Sequence, residues 1–207
     1  MVKKSAFTLI ELIFAIVIIA ITVLSLPVMS RITEKGIENS IIQEAIFGAA
    51  TELNEIVTLH WDANSIDPAR PNSYAKVIDI NGKCDDNTSS PRYRLMPGQI
   101  NQPLHRRCTD SNVTAPANAS SATIETIENK AHTYTKIFLN PTPDKEGYKD
   151  EYTSQISITN NAKFGGTNNA NIKKITVTIQ DSKGKIITSL KTYVANIGET
   201  DYYKRAY

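Results

Sequence analysis

The chain has 207 residues, with 23 Lys and Arg against 21 Asp and Glu, a formal net charge of +2. That is room for one domain of ordinary size plus an extra element. So even a charge balance sets up no strong field toward nucleic acid. Charged residues at 21% and hydrophobic ones at 41% are ordinary for a globular protein.

The apolar residues are unevenly spread. Within residues 7–26 the ionisable side chain is Glu11, and the other polar ones are Thr8, Thr22 and Ser25. This stretch supplies the roughly 20 apolar residues that a membrane-spanning helix needs. Lys3 and Lys4 precede it, and the next charge is Arg31. The positive-inside rule then places the N-terminus in the cytoplasm and the remainder across the membrane. A secretory signal peptide explains the lysines but not Glu11, and no small-x-small cleavage site follows the run. A plain single-span anchor has no use for Glu11 either, because a charge in hydrocarbon costs about 2.5–3.5 kcal/mol on insertion scales. Glu11 needs a partner.

The stretch Ser5-Ala6-Phe7-Thr8-Leu9-Ile10-Glu11-Leu12 resembles the type IV prepilin signal, the leader of type IV pilins and type II secretion pseudopilins. The resemblance covers about residues 3–30, with leader charges, Phe, Thr-Leu-Ile-Glu and the apolar run at matching spacing. It implies that a prepilin peptidase cuts between Ala6 and Phe7 and that Phe7 is then N-methylated. Glu11 becomes the fifth residue of the mature chain. It would pair with the terminal amine of a neighbouring subunit, each charge partly neutralising the other in apolar surroundings. The residue before the cut is usually Gly; here it is Ala6, the next smallest side chain, so cleavage is expected at a slower or normal rate.

Apolar positions continue at helical spacing through Ile37, Ile41, Ala45, Ile46, Ala49, Leu53, Ile56 and Val57. Glu38, Gln43, Glu44, Glu52 and Asn54 fill the other face. One helix is therefore predicted over 7–59, its first part in the bilayer or filament core and its second part packed on a globular domain. Pro27 is a predicted kink, close to where the resembling family often carries a proline. Gly48 reads as a close-packing point.

Beyond the helix, 74–80 alternates as a strand and Asn81-Gly82 is a turn signal. Residues 83–122 hold four prolines and both cysteines and read as irregular surface. In an exported domain Cys84 and Cys108 read as one disulfide; in a reducing cytosol they would be free thiols. A short helix is predicted over 123–131, and strands over 133–139 and 152–159. The clearest strand is 172–179, with Ile175, Val177 and Ile179 on one face. Asp181-Ser182-Lys183-Gly184 is a hairpin turn. The return strand, 185–195, has Ile187, Leu190 and Tyr193 as apolar members, with one slip in the alternation. The polar, tyrosine-rich tail 198–207 has no assigned task. The fold expected is α+β and pilin-like: a leader over 1–6, a long helix over 7–59 and a β-rich periplasmic domain over 60–207.

No nucleophile motif, phosphate loop or metal signature is present, so neither catalysis nor a cofactor is expected. His60, His105 and His132 are scattered. His105 with Cys108 is a poor metal pair. Trp61 reads as core. Asp144, Glu146, Asp150 and Glu151 do not match a defined calcium loop and read as a solvated turn. Asn87, Asn112 and Asn118 begin Asn-x-Ser/Thr triplets that read as polar loops. A basic strip, Arg92, Arg94, Arg106 and Arg107, has the charge to touch DNA phosphates but reads as an ordinary solvated face.

The resemblance to the prepilin signal implies a filament subunit of a type IV pilus, a competence pseudopilus or a type II secretion system, of the minor kind by its length. Its partners would be prepilin peptidase, other pilin or pseudopilin subunits, the inner-membrane assembly platform and the membrane itself. A membrane-anchored periplasmic binding domain that never polymerises is the alternative.

Overall fold

The structure is a computed structural model, which describes residues 8–67, 73–80, 82–85, 94–96, 104–113, 123–137 and 152–202. It divides into two compact units, residues up to Glu44 and the remainder from Ala45. The arrangement is α+β, with a long apolar N-terminal helix whose C-terminal end packs on antiparallel sheet.

The helix α1 spans Leu9–Val57 and is continuous through Pro27. Proline has no N–H to donate one turn back, so the Val23 carbonyl loses its usual helical partner. From residue 16 to residue 40 every position of the helix is exposed. Leu9, Phe14, Ile18 and Leu24 are each at least 60% exposed. An 18-residue window has a mean hydropathy of 2.9 and no buried share, long and apolar enough to cross a membrane.

From Ala45 onward the helix acquires a packed face. Ala45, Ala49 and Ile56 are buried, spaced by whole turns. Small residues let the helix approach the sheet closely: a Cβ added at Gly48 would sit 3.2 Å from Ile137 Cγ2. Glu52 lies on this face rather than the solvated one, where its carboxylate accepts a 3.1 Å hydrogen bond from Ser154 Oγ. Glu55 meets Lys130 at 2.7 Å. That hydrogen bond is the largest influence on the Lys130 ammonium and raises its pKa above the ordinary lysine value; burial opposes it, and the Glu125 charge adds a lesser push upward. The pair favours the fold while Lys130 is charged, and that contribution fades as pH rises through the raised value. Being partly exposed, it is worth little.

The main sheet is antiparallel, in the order β4 (His132–Lys136), β5 (Thr153–Thr159), β8 (Ile172–Gln180), β9 (Ile186–Ala195). β8 alternates strictly, with Lys173, Ile175, Val177 and Ile179 all buried on one face. Asp181 shapes the β8–β9 turn: its Oδ1 accepts from the Lys183 and Lys185 amides at 2.9 and 2.8 Å. The slip in the β9 pattern is a register shift between Ile179 and Gln180. Past it, Leu190 and Val194 turn inward and Tyr193 turns outward. A small hairpin of β6 (Ala162–Phe164) and β7 (Thr167–Asn169) turns at Gly165-Gly166, both at positive φ. Phe164 lies edge-on to Tyr193, ring centroids 5.3 Å apart.

The segment expected to be irregular surface contains structure. In it β3 (Cys108–Val113) pairs in parallel with β1 (Val77–Ile80), which falls within the strand expected over 74–80 and is buried throughout. β2 (Leu104–His105) pairs antiparallel with β10 (Asp201–Tyr202). Cys84 and Cys108 form a disulfide with Cα atoms 6.4 Å apart, packed with Val77 and Met96. Beneath it Asp79 is fully buried, ion-paired with Arg94, and accepts from the Cys84 amide at 2.9 Å. Arg94 also donates to the Thr109 carbonyl at 2.8 Å. Polar side chains buried this way organise a segment whose composition alone reads as loop.

Asn196, at the end of β9, and the first residues of the tail are packed on the 75–80 segment. Asn196 is buried; its amide oxygen accepts from the Ile78 N–H at 2.9 Å and its Nδ2 donates to the Ile78 carbonyl at 2.8 Å. One side chain thus imitates a neighbouring strand. Glu199 N then donates to the Ala75 carbonyl at 2.7 Å. Gly198, at φ +60°, lies so close that an added Cβ would meet Ala75 O and Val77 N at 2.9 Å. These contacts join the 75–80 segment to the end of β9.

Two outcomes follow. Gly198→Ala must move backbone as well as strain φ, and should lower stability by about 1–3 kcal/mol in denaturant unfolding. An unchanged midpoint would mean the tail is not packed as described. Reducing the Cys84–Cys108 bond in the native protein should cost about 3 kcal/mol in the same measurement.

Candidate functional site

The first half of α1 is the candidate site, since so much uncovered apolar surface on one element demands a partner. Within it the polar groups are handled locally. Thr22 Oγ1 donates to the Ile18 and Ile19 carbonyls at 3.0 and 2.9 Å, and Ser25 Oγ donates to the Thr22 carbonyl at 2.9 Å. Hydroxyls that fold back onto their own helix enter an apolar medium without an unpaired donor.

Glu11 is different. It is exposed and stands in the first helical turn, its amide bonded to the Thr8 carbonyl at 3.1 Å. The helix dipole favours a carboxylate there by about 0.3–1 kcal/mol. That is less than the cost of placing a charge in hydrocarbon, so the dipole alone does not account for Glu11. A cation beside the first turn would.

Ala6 and Phe7, expected to flank the cleavage point, lie outside the described residues. Pro27 lies inside the helix, about five turns past its start by the usual helical repeat.

The other candidates separate on inspection. Cys108 is committed to the disulfide and is no longer a metal ligand beside His105. Among the described residues no three His, Cys, Asp or Glu side chains gather as a metal site. Asp144, Glu146, Asp150, Glu151, Asn87 and Asn118 lie outside the described residues, while Asn112 falls in β3. His60 stands 3.8 Å from Glu199, and His132 bonds locally with the Thr133 carbonyl at 2.7 Å. Trp61 is core, its indole donating to the Val194 carbonyl at 3.4 Å. Of the basic strip, Arg94 is drawn inward by Asp79, Arg106 donates to the Gly198 carbonyl at 3.1 Å, Arg107 is half-buried, and Arg92 lies outside the described residues.

One constellation escaped the sequence reading. Lys173, fully buried on β8, donates to the carboxylates of Asp62 and Glu128 and to the Trp61 carbonyl, and its ammonium lies 4.1 Å from the Trp61 ring centre. The three segments meet because His60 bridges Thr126 in parallel and its carbonyl accepts from the Ile127 amide at 3.0 Å. The strict alternation of β8 was the available signal: it puts Lys173 on the same face as Ile175.

Residues 1–26 match the family model described as the prokaryotic N-terminal methylation motif. No curated protein and no solved structure matches the chain. The start of the chain therefore carries the prepilin-type signal of type IV pilins and pseudopilins.

Proposed function

We propose that the protein is a pilin-like filament subunit, cut by prepilin peptidase between Ala6 and Phe7 and methylated at Phe7. The observation that carries this reading is the methylation motif over residues 1–26 running directly into a helix that is apolar and uncovered on every side. Before assembly that helix anchors the subunit in the inner membrane, with the globular domain on the periplasmic side. In the filament the same surface packs against the helices of neighbouring subunits, and no catalytic step is involved.

Glu11 acts in assembly. Cleavage leaves an ammonium on Phe7, four residues before Glu11. A subunit entering the filament pairs its Glu11 with the terminal ammonium of a neighbour. Two charges that are each costly in apolar surroundings are then neutralised together, which sets the axial register. Pro27 supplies a point where the helix can bend as subunits pack, since one hydrogen bond is already missing there. The subunit works with the assembly platform and other pilins or pseudopilins of a pilus, competence or secretion filament.

The test is the intact mass and N-terminal sequence of protein isolated from host membranes. The expected product starts at Phe7 and carries one methyl group. A product starting at Met1, or cut near residue 30, overturns the reading and leaves a membrane-anchored or exported binding domain. Glu11→Leu should still insert and be processed, yet be lost from sheared filament fractions. Wild-type incorporation of that variant would remove the assembly role.

A further inference from the structure

We propose that Lys173 and Asp62 become joined by an intramolecular amide bond, with Glu128 as the group that moves the protons.

The cluster has the parts such a condensation needs. Lys173 Nζ stands 3.2 Å from Asp62 Oδ2, and both side chains are completely inaccessible to water. Amide formation releases water, so exclusion of solvent favours the product over hydrolysis. A buried amine held against its electrophile has the proximity advantage of an intramolecular reaction, and desolvation is a general route to an active lysine nucleophile. Glu128 is hydrogen-bonded to the same nitrogen through Oε1. Its Oε2 is buried without a hydrogen-bond partner among the described residues, which leaves an oxygen free to carry a proton. Asp62 Oδ1 accepts the Asn64 backbone N–H at 3.0 Å. That donor is fixed before reaction and faces the oxygen on which charge grows when the carboxyl carbon is attacked. The Trp61 ring closes one side of the ammonium.

The step balances within the cluster. The Lys173 ammonium gives one proton to Glu128, and the freed amine attacks Asp62 Cγ. The carbon–nitrogen bond forms, and a second N–H proton leaves the nitrogen. The Oδ2 oxygen departs with both protons as one water, the first returned by Glu128. An ammonium and a carboxylate become a neutral amide and water, with no oxidant, metal or other reactant. The product links the loop after α1 to the middle of the core sheet. It also removes two charges from the interior, which are expensive to keep there even when paired.

The test is the mass of the purified, reduced and denatured full chain, followed by peptide mapping. A deficit of one water, carried by a peptide pair joined through Lys173 and Asp62, is the expected result. Lys173→Arg should restore the full mass. Glu128→Gln, checked for folding by circular dichroism, should restore it while leaving the other partners in place. A wild-type chain at full mass overturns the proposal, as does a deficit that maps to another pair. A folded Glu128→Gln chain that still lacks one water overturns the role given to Glu128.

Discussion

A peptide group taken out of water must find another partner, and that requirement shapes both parts of this protein. In the apolar half of α1 the solution is the helix itself, extended by the hydroxyls of Thr22 and Ser25, which donate to carbonyls one turn back. In the globular part β1 is buried but borders irregular chain, so its pairing has to be improvised. Asn196 provides it, presenting acceptor and donor to the two sides of Ile78 as a strand would. The same side chain donates to Asn171 Oδ1 at 2.8 Å, just before β8. One amide therefore couples the disulfide-bearing segment to the core sheet.

Buried charges follow a related rule with higher stakes. An isolated charge in the interior is prohibitive, whereas one surrounded by opposite charge and hydrogen bonds is tolerable. Among the described residues, Asp79 with Arg94 and Lys173 with Asp62 and Glu128 are the two places where ionisable side chains are brought together in the interior. Each lies where irregular chain meets regular strand. Such clusters are poor sources of net stability but exact a specific geometry, since a misplaced partner leaves a bare charge. They fix which loop lies over which strand where apolar contact alone would allow several arrangements.

What the sequence made legible follows from periodicity. The apolar run, the Ala45–Ala49–Ile56 stripe, the β8 alternation and the Asp181–Gly184 turn are local patterns, and each appears near its expected place. The irregular segment was misjudged because proline, serine and asparagine content reports local preference. Cys84, Leu95 and Cys108 are buried there by partners distant in the chain. Lys173 was hidden by its residue type: a lysine inside an alternating strand reads as an interruption of the buried face rather than a member of it. For the candidate site, Glu11 stood out because a carboxylate in an apolar run violates the local rule. Its partner could not be read from the same residues, because the proposed cation belongs to a neighbouring subunit.

The position of Asn196 in the chain has a consequence for the order of folding. Ile78 and the side chain that pairs with it are 118 residues apart, and the β2–β10 and Ala75–Glu199 pairings also join distant segments. Contacts that span so much sequence form slowly. The β8–β9 hairpin, closed by a short turn, should therefore form early in refolding, and the side of the domain around β1 should close last.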